Sequence, residues 1–252
     1  MNIEKLENEE RGIVSLTPIE IKDLEALKIK LFKGKESSKD LEDARCEFER
    51  YAKYLEAGIP QIYWGIDWDD FKGDEKAYKF VQLYLKHIDD AMDHGQGFIF
   101  YGQHGTGKTT LSCLIAKSVI KMGYTVKFIS IAKIIDLITE SFDSREKKNR
   151  LDIVIERVEF LILDDLGKEY LGVRRQLSPM VSLKLDSLIR ERGNRGKVTI
   201  ATTNYSKKEI KESYGDSVFS VLNGACKAIR VEGEDYRLYR SQKFWEELEK
   251  KK

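Results

Sequence analysis

The sequence predicts an α/β protein in which a parallel five-stranded sheet lies between helices, preceded by a small helical module. Three observations lead there. Four short apolar runs, Gly97–Gly102, Val126–Ile131, Glu159–Asp165 and Lys197–Asn204, read as strands, with Lys227–Gly233 as a fifth. Helical patterns lie between the first four, and strands alternating with helices imply parallel pairing with both sheet faces covered. Upstream of Gly95 the texture is helical only.

The upstream elements follow from local signals. Thr17, Pro18 and Glu20 have the spacing of an N-cap, a first-turn proline and a capping box. Leu24, Leu27 and Leu31 then fall on roughly one face. After a polar break at residues 33–39, Leu41, Ala44, Phe48, Ala52 and Leu55 make a second helical stripe that Gly58 and Pro60 terminate. This predicts a helical hairpin over residues 1–58. Residues 59–95 read as a linker and leading helix. The linker's aromatic stretch, Gly58–Asp74, is open to two readings: anchoring on the next domain, or stacking on a base. Residues 96–252 hold the sheet.

Composition excludes several classes. The chain has 252 residues, 35% of them charged, with 44 basic against 43 acidic and a net charge of +1. No global basic field recruits nucleic acid, so such binding needs a local patch. Cys46, Cys113 and Cys226 are far apart and form no C-x-x-C pair, which argues against zinc. An odd cysteine count without a signal peptide points to the cytoplasm. No apolar run approaches the roughly 18–20 residues that cross a bilayer.

The most specific motif is GQHGTGKTT, Gly102–Thr110. It fits G-x-x-x-x-G-K-[ST] and stands between a strand and a helix, the setting in which backbone N–H groups and a helix N-terminus cradle phosphates. Gly102, Gly105, Thr106, Gly107, Lys108, Thr109 and Thr110 are the expected binding residues, with Lys108 on the β- and γ-phosphates and Thr109 on Mg²⁺. Downstream, FLILDD brings Asp164 and Asp165 to the C-terminal end of a buried strand, where such sheets bind ligands. Asp164 is expected to hold Mg²⁺, and Asp165 to orient or deprotonate an attacking water. The strand ending ATTN brings Asn204 to the same edge, within reach of a γ-phosphate.

These motifs, in this order and followed by GEDYR (Gly233–Arg237), resemble the AAA+ ATPases. The likeness is greatest to the DnaC/DnaI-type loaders of replicative ring helicases, relatives of the IstB transposition ATPases. It covers about Gly58 to Arg237 and is most particular in LILDDLGKE (Leu161–Glu169), ATTN and GEDYR. The resemblance implies an ATPase using ATP and Mg²⁺, with Asn204 as first sensor and Arg237 as the second-sensor arginine on the γ-phosphate. It also implies that the N-terminal helices grip a replicative helicase, that copies self-assemble, and that single-stranded DNA is contacted between the second and third core strands. There Lys133, Arg145, Lys147, Lys148 and Arg150 are the candidate phosphate contacts, and Phe142 either stacks on a base or belongs to the core.

One departure stands out. Loaders carry an arginine before the last strand that reaches a neighbour's nucleotide, and here the matching position is Val221. Such an arginine is worth roughly 10³–10⁵ in rate. Three readings remain: weak hydrolysis with ATP as a switch, replacement by Arg192 or Arg195, or a local misalignment. Competing functions are an IstB-like helper of a transposase, a small-molecule kinase, which would need an Arg-rich lid that is not evident, and an ATP-dependent binding module without useful hydrolysis.

Overall fold

A computed structural model describes residues 18–167 and 177–235, together with Arg237, Trp245, Leu248 and Glu249. Thr17, expected as an N-cap, lies outside the described residues, as do Lys168 and Glu169 of the LILDDLGKE stretch. The chain divides into two compact units, Met1–Gly65 and Ile66–Lys252.

In the first unit α1 (Pro18–Phe32) pairs with α2 (Ser38–Ala57). Ser37 caps α2 by accepting from Asp40 N–H, and Gly58 ends it in the left-handed conformation. The stripe seen in the sequence is used in part: Ala44 is buried and Phe48 meets Phe32 edge-on, while Leu41 is 39% exposed. The unit runs past residue 58 because Ile59 and Trp64 fold back. Ile59 N–H donates to Tyr54 O, and Trp64 donates its indole N–H to Ile59 O at 2.8 Å while stacking on Tyr51 at 5.1 Å.

The second unit begins with the rest of the aromatic stretch. Trp68 donates its indole N–H to Ser118 Oγ at 3.0 Å, and buried Lys117 donates to Ile66 O. Anchoring is therefore supported for both: Trp64 is 8% exposed with its ring stacked on Tyr51, and Trp68 lies edge-on to Tyr78 with its N–H bonded to α5. The leading helix expected within residues 59–95 is broken at His87 into α3 (Glu75–Lys86) and α4 (Ile88–Asp93). The core alternates strand and helix: β1 (Gly97–Tyr101), α5 (Lys108–Lys121), β2 (Val126–Ser130), α6 (Ile131–Glu140), α7 (Arg145–Glu156), β3 (Phe160–Leu166), α8 (Pro179–Asn194), β4 (Val198–Thr203), α9 (Lys207–Ala225) and β5 (Cys226–Arg230). All pairings are parallel and the strand order is β2-β3-β4-β1-β5. Phe160, Leu161, Ile162 and Leu163 are all buried, the uninterrupted apolar run of a strand covered on both faces.

The N-terminal edge of the sheet is stitched by Arg192, which is 0% exposed. Its guanidinium donates to the carbonyls of Val154 (2.6 Å), Val158 (2.8 Å), Glu159 (3.2 Å) and Val198 (2.7 Å), and to Thr199 Oγ1 (3.3 Å). Burial pushes its pKa down to about 9, so it stays charged at neutral pH. The fork geometry lets one side chain satisfy carbonyls from both strand starts and the end of α7. Arg192 is thus a structural cation and cannot serve a neighbouring nucleotide. Arg195 is half-exposed at the same edge, 3.4 Å from Glu156 and 3.6 Å from Glu191.

Replacing Arg192 with Met leaves those carbonyls buried without a donor. Urea unfolding should show a loss on the order of 3–5 kcal/mol, while Arg195→Met, at the surface, changes stability by about 0.5 kcal/mol or less. Equal stability of the two variants would contradict the stitching role.

Candidate functional site

The site is assembled at the opposite, C-terminal edge. Because β4 lies between β1 and β3, the phosphate loop after β1, the acids of β3 and the residue after β4 arrive side by side. The loop has a conformation that only its glycines permit cheaply. Gly105 and Gly107 have φ of 79° and 95°. A Cβ on Gly105 would lie 2.0 Å from Asp235 Oδ1, and one on Gly107 would lie 3.0 Å from the Phe71 ring. Thr106, buried, closes the turn by donating to Gln103 O at 3.0 Å. Lys108 is 6% exposed, and its ammonium donates to the carbonyls of Gly102 and Gln103, which holds a positive charge inside the loop. Thr109 and Thr110 follow in the first turn of α5, whose N-terminus adds its dipole.

Thr109 donates its hydroxyl to Asp164 Oδ1 at 3.1 Å. Its oxygen lone pairs stay available, so the pair offers a hydroxyl and a carboxylate: hard donors suited to Mg²⁺ shared with nucleotide phosphates. Among the described residues no group of three or more His, Cys, Asp or Glu forms a cage for a metal held by protein alone.

Asp165 follows in an unusual backbone. Its φ is 63°, and the β3–β4 register shifts between Leu163 and Leu166, so the ladder bulges at the two acids. Thr202 of β4 fills the gap: its hydroxyl donates to Asp164 Oδ1 at 2.7 Å and accepts from Asp165 N–H at 2.9 Å. Sequence reasoning missed Thr202; the signal was the pair of threonines before Asn204 on a strand adjacent to the acids. Asn204 is the first residue past β4, between the acids and the loop.

Two segments lie over the loop. Phe71–Gly73 passes so close that a Cβ on Gly73 would be 3.1 Å from Thr106 O. Val231–Asp235 brings the Asp235 carboxylate against Gly105, and Asp235 Oδ1 accepts from Arg237 N–H at 2.9 Å. The GEDYR motif thus meets the phosphate loop, with Arg237 exposed and Tyr236 outside the described residues. Asp74 joins the two segments: Oδ1 caps α3 on Lys76 and Ala77 N–H, and Oδ2 accepts from Glu232 N–H at 2.9 Å. Burial works against the Asp74 charge, but the N–H groups of Ala77, Glu232 and Lys76 outweigh it and hold the carboxyl below its ordinary value.

The remaining expected positions are more dispersed. Lys133, near the start of α6, is exposed, as are Arg145 and Lys148 at the start of α7; Lys147 pairs with Glu140 at 2.8 Å, and Arg150 is half-buried. Phe142, at the turn between α6 and α7, is 40% exposed and so not a core residue. The same stretch, residues 132–150, also carries Asp136, Glu140, Asp143 and Glu146 against its five cations, so its net charge is only +1. Val221 is 9% exposed within the core cluster. The exposed positions around it, Ser217, Ser220, Asn223 and Gly224, carry no positive charge.

A family model described as IstB-like ATP binding protein matches residues 73–244. The replicative helicase loader DnaC of Buchnera aphidicola subsp. Acyrthosiphon pisum is 21% identical over 190 residues, 73% of this chain and 74% of that one. A crystal structure of the DnaC helicase loader superposes with a TM-score of 0.59 at 24% identity, over 69% of this chain and 100% of the other. A crystal structure of DnaI superposes at 0.57 and 18% identity, over 69% and 95%.

Two outcomes follow from this geometry. Asp165→Asn should unfold within about 0.5 kcal/mol of wild type, because Asn tolerates positive φ, whereas Asp165→Ala should cost about 1 kcal/mol more in urea titrations. Asp74→Ala should lower stability by about 1 kcal/mol at pH 7. The folded carboxyl is depressed, so its contribution is present above the ordinary value of 3.8 and is lost as pH falls through the lower folded value. The melting-temperature gap between wild type and Asp74→Ala should therefore hold from pH 7 to about pH 5 and narrow below pH 4.

Proposed function

This chain belongs to the IstB-like ATP-binding protein family and has the AAA+ P-loop fold, and from that premise we propose that it is an ATP-dependent loader of a replicative ring helicase. The observation that carries the reading is the joining of a complete phosphate site to a separate pair of helices, in a chain that aligns along most of its length with helicase loaders. On this reading ATP binding and hydrolysis act as an assembly-and-release switch. The N-terminal helices hold the helicase, and the ATPase unit places it on single-stranded DNA.

In the nucleotide site, Lys108 and the N–H groups of the loop and α5 bind and orient the phosphates. Thr109 and Asp164 hold Mg²⁺, which supplies charge neutralisation on the phosphate oxygens. Asp165, next along the bulge, orients the attacking water or takes its proton, and Asn204 and Arg237 contact the γ-phosphate. With Val221 in the core and uncharged residues exposed around it, the last turns of α9 offer no arginine to a neighbour. Hydrolysis by the isolated chain is therefore slow, and helicase and DNA partners govern turnover. Lys133, Arg145, Lys147 and Lys148, flanking exposed Phe142, are the proposed DNA contacts. Because acids nearly balance that stretch, contact there is local rather than a broad electrostatic attraction.

The family description also fits an assistant to a transposase, and the partner decides between the two. The test is light scattering after size exclusion of the chain mixed with its host's replicative helicase, with ATP, with ADP, and with residues 1–58 deleted. The loader reading expects a stable complex that the deletion abolishes, and purified protein alone turning over less than about one ATP per second. No complex with any nucleotide would overturn it and favour the transposase partner.

A further inference from the structure

We propose that Thr202 is a positioning residue for the metal: its buried hydroxyl sets the orientation of Asp164 and holds the Asp165 bulge, so that Mg²⁺ affinity depends on a β4 side chain that touches neither metal nor nucleotide. The inference rests on the reading of Asp164 as the magnesium acid and deepens it.

The hydrogen-bond inventory carries it. A threonine hydroxyl has one proton and two lone pairs. Thr202 spends the proton on Asp164 Oδ1 at 2.7 Å and accepts Asp165 N–H at 2.9 Å. Thr109 donates to the same Oδ1 at 3.1 Å from the far side of the site. Two hydroxyls on one carboxylate oxygen fix the carboxylate's rotation, and the one on β4 is the shorter bond. Thr202 is 1% exposed, so water cannot easily replace its hydroxyl.

The next residue shows that this is more than repair of a broken ladder. Thr203 donates to Leu166 O at 2.8 Å and accepts from Tyr205 N–H at 3.0 Å, which re-satisfies backbone around the same bulge without touching a carboxylate. Thr203 is therefore the internal control for a purely structural hydroxyl. Thr202 adds the contact to Asp164 and lies two residues before Asn204, which follows directly on the same strand's end. A pull on the end of β4 by a bound γ-phosphate would reach both acids through it. Outer partners of ligating carboxylates typically contribute about 10–100-fold to metal affinity.

The experiment is equilibrium binding of ATP to the full chain as a function of free Mg²⁺, for wild type, Thr202→Val, Thr202→Ser and Thr203→Val, with circular dichroism to verify folding. The expected result is that Thr202→Val needs about tenfold more Mg²⁺ to reach half of the metal-dependent tightening, while its Mg²⁺-free ATP affinity stays within about twofold of wild type. Thr202→Ser, which keeps the hydroxyl, should restore the wild-type midpoint to within about threefold. Thr203→Val should melt earlier without moving the midpoint. A folded Thr202→Val with a wild-type Mg²⁺ midpoint, or one that loses Mg²⁺-free binding equally, overturns the inference. If Thr202→Val does not fold, Thr202→Ala, which also removes the hydroxyl, decides: a midpoint raised about tenfold supports the inference and a wild-type midpoint overturns it. Wild-type ATP binding that ignores Mg²⁺ overturns the metal reading itself, and is distinguished because it appears without any mutation.

Discussion

Two hydroxyls, Thr109 on α5 and Thr202 on β4, converge on one oxygen of Asp164, and the ligand edge of the sheet is organised around that convergence. It is possible only because β4 lies between β1 and β3. If β3 were beside β1, the acids would adjoin the loop strand directly and no β4 side chain could stand between them. The inserted strand brings a buried polar group to the acids and carries Asn204 to the same edge. A buried hydroxyl must be paired to avoid a cost of about 1–3 kcal/mol, and here the pairing itself orients the acid.

The two edges of the sheet handle buried charge differently. At the N-terminal edge Arg192 is surrounded by backbone carbonyls, a fixed arrangement in which each donor has one task. At the C-terminal edge, Lys108 rests on loop carbonyls, Asp165 adopts a positive φ, and the glycines admit Phe71 and Asp235 to close approach. Close backbone approach occurs at both edges, since Gly97 and Gly95 admit strand and loop carbonyls at the N-terminal one, but the left-handed non-glycine residue among those described, Asp165, stands at the ligand edge. Asp74 bridges these roles. It caps α3 and ties the start of the second unit to the segment after β5, both of which lie over the loop.

The aromatic residues between Gly58 and Asp74 divide between the two compact units. Trp64 closes onto α2 while Trp68 closes onto α5, which is why the division falls after Gly65 and not at Gly58. Each indole donates its N–H within its own unit, and the Trp64 ring is buried, so both residues anchor the chain.

The phosphate loop, the paired acids and Asn204 were legible in the sequence because each is a local pattern attached to an element with its own periodicity. Gly102–Lys108 is read from spacing, and Asp164–Asp165 from an apolar run that ends in charge. The α1–α2 stripe, the five strands and their parallel pairing were legible for the same reason. Arg192 and Arg195 were not separable, since two arginines three residues apart on one helix end look alike until one is found beneath the strand starts. The orienting role of Thr202 and the long-range tie of Asp74 were harder to read: each depends on a partner 38 or 158 residues away, although the threonine pair and the capping position are themselves local. The sequence alone determined the elements and the phosphate chemistry, because backbone periodicity and motif spacing are properties of near neighbours. Only the tertiary structure decided which polar side chains orient the site and which hold the sheet, because burial and hydrogen-bond partnership depend on strand order.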